Sequence, residues 1–167
     1  NPKWGSKSKA GYWAYATKKG YVVTSRYATT YQGKKVVFLA DNDGKLIRQK
    51  GGWSVTSRFT KGVYQRYYID PDLHAAVVGY APKKGTVFAH YTLAKYGYVL
   101  RGTKKVGSKV YVADNDGKLL TGNGWKKTGA YTNGKVRRYY LEGGYAKAGF
   151  FTVKGKHYYG TKKGYVA

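Results

Sequence analysis

Sulfur is missing from this chain: its 167 residues include neither cysteine nor methionine. Disulfide-stapled scaffolds, thiol enzymes and cysteine-based zinc sites are thereby excluded. Acid is scarce as well, with 7 Asp+Glu against 32 Lys+Arg and a formal net charge of +25. Such an excess repels itself and calls for a polyanionic partner. Proline is limited to 3 residues, so no proline-rich linker divides the sequence. Apolar runs last only a few residues, too short for a membrane-spanning helix. We therefore expect no membrane insertion. The start does not read as a signal peptide, and without an initiator methionine the chain reads as a mature or excised fragment.

What fills the space is aromatic and small. There are 24 glycines, 20 tyrosines and 4 tryptophans, and aromatics make up 17% of the chain. Disordered chains are poor in aromatics. Tyrosine favours half-buried pleated surfaces, and glycine supplies the left-handed positions of tight turns. Few windows show a period of 3.6, and glycines interrupt nearly all of them, so long helices are not expected.

Internal repetition organises the sequence. Ala40-Asp41-Asn42-Asp43-Gly44-Lys45-Leu46 returns as Ala113 to Leu119, a shift of 73. Gly52-Trp53 returns as Gly124-Trp125 and Arg66-Tyr67-Tyr68 as Arg138-Tyr139-Tyr140, both at 72. His90-Tyr91 returns as His157-Tyr158 at 67, and Thr17 to Val22 as Thr161 to Val166. A finer mark, glycine followed by an aromatic, stands at Gly20, Gly52, Gly79, Gly97, Gly124, Gly149 and Gly164. The six intervals from Gly20 to Gly164 cover 144 residues, a mean unit of 24. Each unit reads as strand, tight turn, strand. A lone hairpin is marginally stable, whereas hairpins in series bury their aromatic faces on one another. The expected fold is all-β, with tandem hairpin repeats stacked as a solenoid-like array. We expect one domain over 1–167 of about seven units, the first and last truncated, with large repeats at roughly 20–96 and 97–163.

Gly-Trp, a turn, Tyr-Tyr, then Asp-Gly-Lys and another Gly-aromatic pair resemble the bacterial cell-wall-binding repeats. These are the choline-binding and glucan-binding repeats of secreted wall hydrolases and surface proteins. Gly52 to Tyr68 and Lys109 to Val166 carry the resemblance, and weaker N-terminal units extend it over almost the whole chain. It implies a hairpin solenoid, secretion and attachment to the cell wall or surface, and a non-catalytic anchoring role. It further implies ligand sites between successive hairpins, lined by the Gly-Trp ring and by aromatics of the Tyr-Tyr strand. The candidate ligand-binding residues are then Trp53, Arg66, Tyr68, Tyr98, Trp125, Arg138 and Tyr140, with His90 and His157. Choline-binding members usually place Trp before Tyr-Tyr, enclosing the quaternary ammonium in aromatic faces. Here that position holds Arg66 and Arg138, and in two units the ring before Tyr is His90 or His157. A guanidinium beside the pocket repels choline and suits phosphate or carboxylate.

Adjacent tyrosines in a strand point to opposite faces, so one of each pair belongs to the core. Arg66 shares a face with Tyr68, and Arg138 with Tyr140. The two Asp-Asn-Asp-Gly copies invite a calcium reading, but the later oxygen ligands and the closing Glu are missing. We read them as turns and expect neither metal nor cofactor. Six of the seven acids recur at repeated positions, which leaves Asp72 alone, and His74 is the one histidine without a counterpart. No paired carboxylates, nucleophile elbow or phosphate-cradling glycine loop emerges, so no catalytic residue is assigned. Lysine pairs at 18–19, 34–35, 83–84, 104–105, 126–127 and 162–163 are expected in turns and connections, as periodic rows of cations.

The leading expectation is a non-catalytic module that anchors a parent protein to an anionic wall polymer of the teichoic acid type. Rows of Lys and Arg supply affinity, and Trp/Tyr grooves supply sugar contacts. One alternative is a module for neutral glucan. Another is an adhesin or a binder of sulfated glycan or nucleic acid, although no RNA-binding signature is present. Oligomeric state stays open.

Overall fold

The computed structural model describes residues 11–82 and 88–167. The Lys83-Lys84 pair lies outside them. Every regular element among the described residues is a strand. In chain order these are β1 (Arg26–Tyr31), β2 (Lys34–Leu39), β3 (Gly52–Thr56), β4 (Gln65–Ile69), β5 (Ala76–Val77), β6 (Gly79–Ala81) and β7 (His90–Thr92). They continue with β8 (Gly102–Val106), β9 (Lys109–Ala113), β10 (Gly122–Thr128), β11 (Arg137–Gly143), β12 (Tyr145–Lys147), β13 (Gly149–Val153) and β14 (Lys156–Gly160). None of the described residues forms a helix long and apolar enough to cross a membrane.

Two compact units divide the chain. One comprises Asn1–Ala81 with Thr92–Val99, the other Pro82–Tyr91 with Leu100–Ala167. The first contains a three-stranded sheet, β1-β2-β5, and a separate hairpin, β3-β4. The second contains a five-stranded sheet ordered β10-β11-β12-β9-β8, and the hairpin β13-β14. All of these pairings are antiparallel.

In the first unit, alternation along β2 serves two cores at once. Val36 and Phe38 point to a cluster with Tyr15, Leu46, Leu73 and Ala75. Val37 and Leu39 point the other way, to Tyr67, Ile69 and Ala76. A strand covered on both sides reads as a continuous apolar run, as Val36 to Leu39 does. In the second unit, Val110, Val112, Leu120, Tyr139, Leu141, Ala146 and Ala148 form the core.

All seven glycines of the Gly-aromatic marks have positive φ, between 78° and 104°. That conformation is costly for a residue bearing a Cβ, which is why glycine holds the place. The marks nonetheless serve two structural purposes. Gly52, Gly79 and Gly149 open strands, and Gly124 lies in β10. Gly20, Gly97 and Gly164 close short loops, their amides donating to the carbonyls of Thr17, Leu93 and Thr161.

The lysine pairs depart from expectation. Lys18-Lys19 and Lys162-Lys163 do lie in turns, but Lys34-Lys35, Lys104-Lys105 and Lys126-Lys127 lie within β2, β8 and β10. The strands β8 and β10 are the two edges of the five-stranded sheet. Exposed lysines on an edge strand block pairing with another chain. Neighbouring lysines in a strand also send their ammonium groups to opposite faces.

Candidate ligand-binding site

The Tyr-Tyr strands alternate as the sequence requires. Tyr67 and Tyr139 are buried, 0% and 1% exposed, while Tyr68 and Tyr140 face outward and are half-buried. Burial pushes the Tyr67 hydroxyl up to about 12 and raises that of Tyr139. Cross-strand pairing sets Trp53 opposite Tyr68 and Trp125 opposite Tyr140. The rings of each pair meet edge to face, at 5.0 Å and 5.2 Å. Each hairpin thus displays a Trp/Tyr platform on its outer face.

The second platform is the more fully built. The Tyr158 ring lies 4.7 Å from Trp125, and Phe151 lies 5.5 Å from Tyr140 in a stacked arrangement. Phe151 and Tyr158 are themselves a cross-strand pair of β13 and β14. Four rings from two successive hairpins therefore converge. The guanidinium of Arg138 covers the Trp125 ring at 4.4 Å. Trp125 keeps 38% of its surface exposed. The site combines open aromatic area with a fixed cation, which suits a sugar bearing an anionic group.

The remaining candidates are dispersed. Tyr98 follows a loop-closing glycine and meets buried Tyr67 edge to face at 6.1 Å, on the side of the hairpin away from Trp53 and Tyr68. It stacks on Tyr96, whose ring Arg26 covers at 5.0 Å. Arg66 lies in β4 on the Tyr68 face. His157 is exposed, and its Nδ1 pairs with the Thr152 hydroxyl at 2.9 Å, on the face of its hairpin opposite Phe151 and Tyr158. His90 was expected among the ligand-binding residues. It is instead interior, 1% exposed, and burial lowers its pKa to about 4. Sequence reasoning missed Phe151 and Tyr158. The signal was available: Tyr158 and Tyr159 are a second adjacent pair, and one of them had to face the preceding hairpin.

Several acids hold the backbone in place. Asp41 Oδ1 accepts the amides of Asp43 and Lys45, and Asp114 Oδ1 those of Asp116 and Lys118. These are Asx turns, closed by left-handed Gly44 and Gly117. Asp70 Oδ1 accepts the amides of Asp72 and Leu73. Glu142 bonds Lys147 at 2.8 Å and accepts the Tyr145 hydroxyl at 2.8 Å, contacts that lower its pKa. Among the described residues, no cluster of three or more His, Cys, Asp or Glu could hold a metal ion.

No protein-family model matches the chain, and no curated protein matches it either. Solved structures do. Choline binding protein F from Streptococcus pneumoniae superposes with a TM-score of 0.55 at 24% identity, over 99% of this chain and 52% of that one. The same protein in complex with ipratropium gives 0.55 at 22% identity, over 99% and 54%. In the presence of a peptidoglycan analogue it gives 0.55 at 24%, over 99% and 52%. The chain spans about half the length of these structures. By fold, it is an all-β hairpin-repeat protein built like choline binding protein F.

Proposed function

We propose that the chain is a non-catalytic module of a secreted or surface protein, holding it to an anionic wall polymer of the teichoic acid type. The observation that carries this reading is the Arg138 guanidinium on the face of Trp125, beside Tyr140, Phe151 and Tyr158. The protein's own cation takes one face of the ring that a cationic ligand would seek, and it offers paired donors to phosphate or carboxylate. Lysines along β8 and β10 add charge that a polyanion neutralises. Asp41, Asp70 and Asp114 accept backbone amides, and Glu142 is held by Lys147 and Tyr145, so four of the seven acids serve the fold. Pull-down on isolated walls with and without teichoic acid tests the proposal. Retention should fall when the teichoic acid is stripped, and unchanged retention refutes it.

A neutral glucan is the second reading, favoured by Phe150. Its ring is 87% exposed and meets Tyr159 at 5.0 Å, forming a platform suited to an uncharged pyranose. Retention on dextran that survives high salt would establish that reading over the first.

A further inference from the structure

A cleft of about 480 Å³ in the first unit gathers four cations, Lys45, Arg48, Lys50 and Arg58. Asp41 also lines it, leaving an excess of three positive charges. One oxygen of that carboxylate is already occupied by the amides of Asp43 and Lys45. The cations come from two separate stretches, 45–50 and 58, which folding brings to one place.

One wall of the cleft is a hydrogen-bonded turn. Arg48 opens a turn closed by the Gly51 amide on its carbonyl at 2.8 Å, and its own φ is 48°. Gln49 anchors that turn twice. Its Oε1 accepts the Trp13 amide at 3.0 Å, and its carbonyl meets His74 Nδ1 at 3.0 Å. The His74 ring stacks on Trp13 at 4.4 Å. The histidine without a repeat counterpart thus clamps the turn. Gln49 also lines the cleft, and its Nε2 is a buried donor with no hydrogen-bond partner among the described residues. A buried donor without an acceptor is costly and uncommon.

The internal repeat supplies a comparison. Between Ile47 and Trp53 the first copy reads Arg-Gln-Lys-Gly-Gly. Between Leu120 and Trp125 the second reads Thr-Gly-Asn-Gly, one residue shorter and uncharged. Arg58 corresponds to Ala130, since each donates its amide to the preceding Thr hydroxyl, Thr56 or Thr128. Three cations in two segments therefore depart from the repeat together, and at one cleft. A structural role within the hairpin would be needed in both copies.

We infer that this cleft is a phosphate-binding site, gripping the anion between Arg48, Lys50 and Arg58. Guanidinium forks match phosphate oxygens two at a time. The inference deepens the wall-polymer reading and rests on it for the identity of the polymer. The phosphate group itself follows from the cleft alone.

The test is NMR titration of the intact chain with inorganic phosphate, chloride being adjusted to hold ionic strength constant. We expect saturable shifts at Arg48 to Lys50, the Gln49 side-chain amide and Arg58. The variant Arg48→Thr, Lys50→Asn, Arg58→Ala installs residues found at the corresponding stretches of the second copy. It should weaken binding by about tenfold or more. Arg58→Gln alone keeps the experiment decisive should the triple variant fail to fold, because it should weaken binding in the same direction. Non-saturating shifts, shifts of equal size at Lys126 and Lys127, or undiminished binding in the variants would overturn the site. A parallel titration with bis-glycerol phosphate separates a polymer's phosphodiester from free phosphate, and tighter binding of the diester is expected. Phosphate binding without wall retention would sink the wall-polymer reading and leave the cleft standing. Wall retention without saturable phosphate binding would do the reverse.

Discussion

The guanidinium carbon of Arg138 sits 4.4 Å from the centre of the Trp125 ring, although the two residues are on different strands and thirteen positions apart in sequence. The cross-strand register explains the meeting. Trp125 pairs with Tyr140, and Arg138 is two residues along the same face. A long side chain reaches such a diagonal neighbour. The aromatic platform therefore carries a resident cation, and the ligand preference proposed for it rests on that.

Replacing the cation should change the preference. Arg138→Ala frees the Trp125 face, so affinity for a quaternary ammonium probe such as choline should rise, while affinity for phosphorylated glycans falls. A gain of about 1 kcal/mol for the ammonium, roughly fivefold, is the scale of one such contact at an exposed ring. Tryptophan fluorescence titration measures both. Unchanged choline affinity would show that Arg138 does not govern the site.

The two tyrosines of a pair should separate stability from binding. Tyr139→Ala empties a core position and should cost about 3–5 kcal/mol in urea unfolding. Tyr140→Ala removes an outward ring and should cost much less, yet weaken ligand binding. Equal losses of stability would contradict the assignment of faces.

Acid should destabilise the protein through His90. Its pKa is lowered to about 4 in the folded state, against an ordinary value of 6.5. The unfolded chain then binds a proton that the folded one refuses, so stability is full above about pH 6.5 and declines as pH falls toward 4. Urea midpoints across that range should show the decline. A His90→Leu variant should lack it.

Much of this was readable from residue order. Glycine before an aromatic marked left-handed backbone, in loops at Gly20, Gly97 and Gly164 and in strands at the other four, and Tyr-Tyr adjacency divided core from surface, since both are local backbone constraints. The positions of the lysine pairs were misjudged: composition suggested turns, whereas strand pairing made β8 and β10 sheet edges that need charge. His90 looked like Arg138 by its place before a tyrosine, but the depth of its strand buries it. Phe151 and the cationic cleft depended on tertiary contact. Arg48 and Arg58 line one cleft although ten residues apart, and the Gln49 turn beside them is pinned to Trp13 and His74.

The Asp-Asn-Asp-Gly turns give a further prediction. Asp41→Ala and Asp114→Ala each remove an acceptor of two backbone amides and should each cost about 1–2 kcal/mol. Thermal unfolding measures this, and added calcium should leave the wild-type midpoint unmoved. A midpoint that rises with calcium would show a metal loop instead.

The most direct measurement is the salt dependence of binding to purified teichoic acid. Each phosphate neutralised by Lys or Arg releases counterions, so the logarithm of affinity should fall steeply and linearly with the logarithm of salt. The slope should be shallower in a variant with Lys104, Lys105, Lys126 and Lys127 changed to Gln. An affinity that stays flat across the salt series would contradict the electrostatic account.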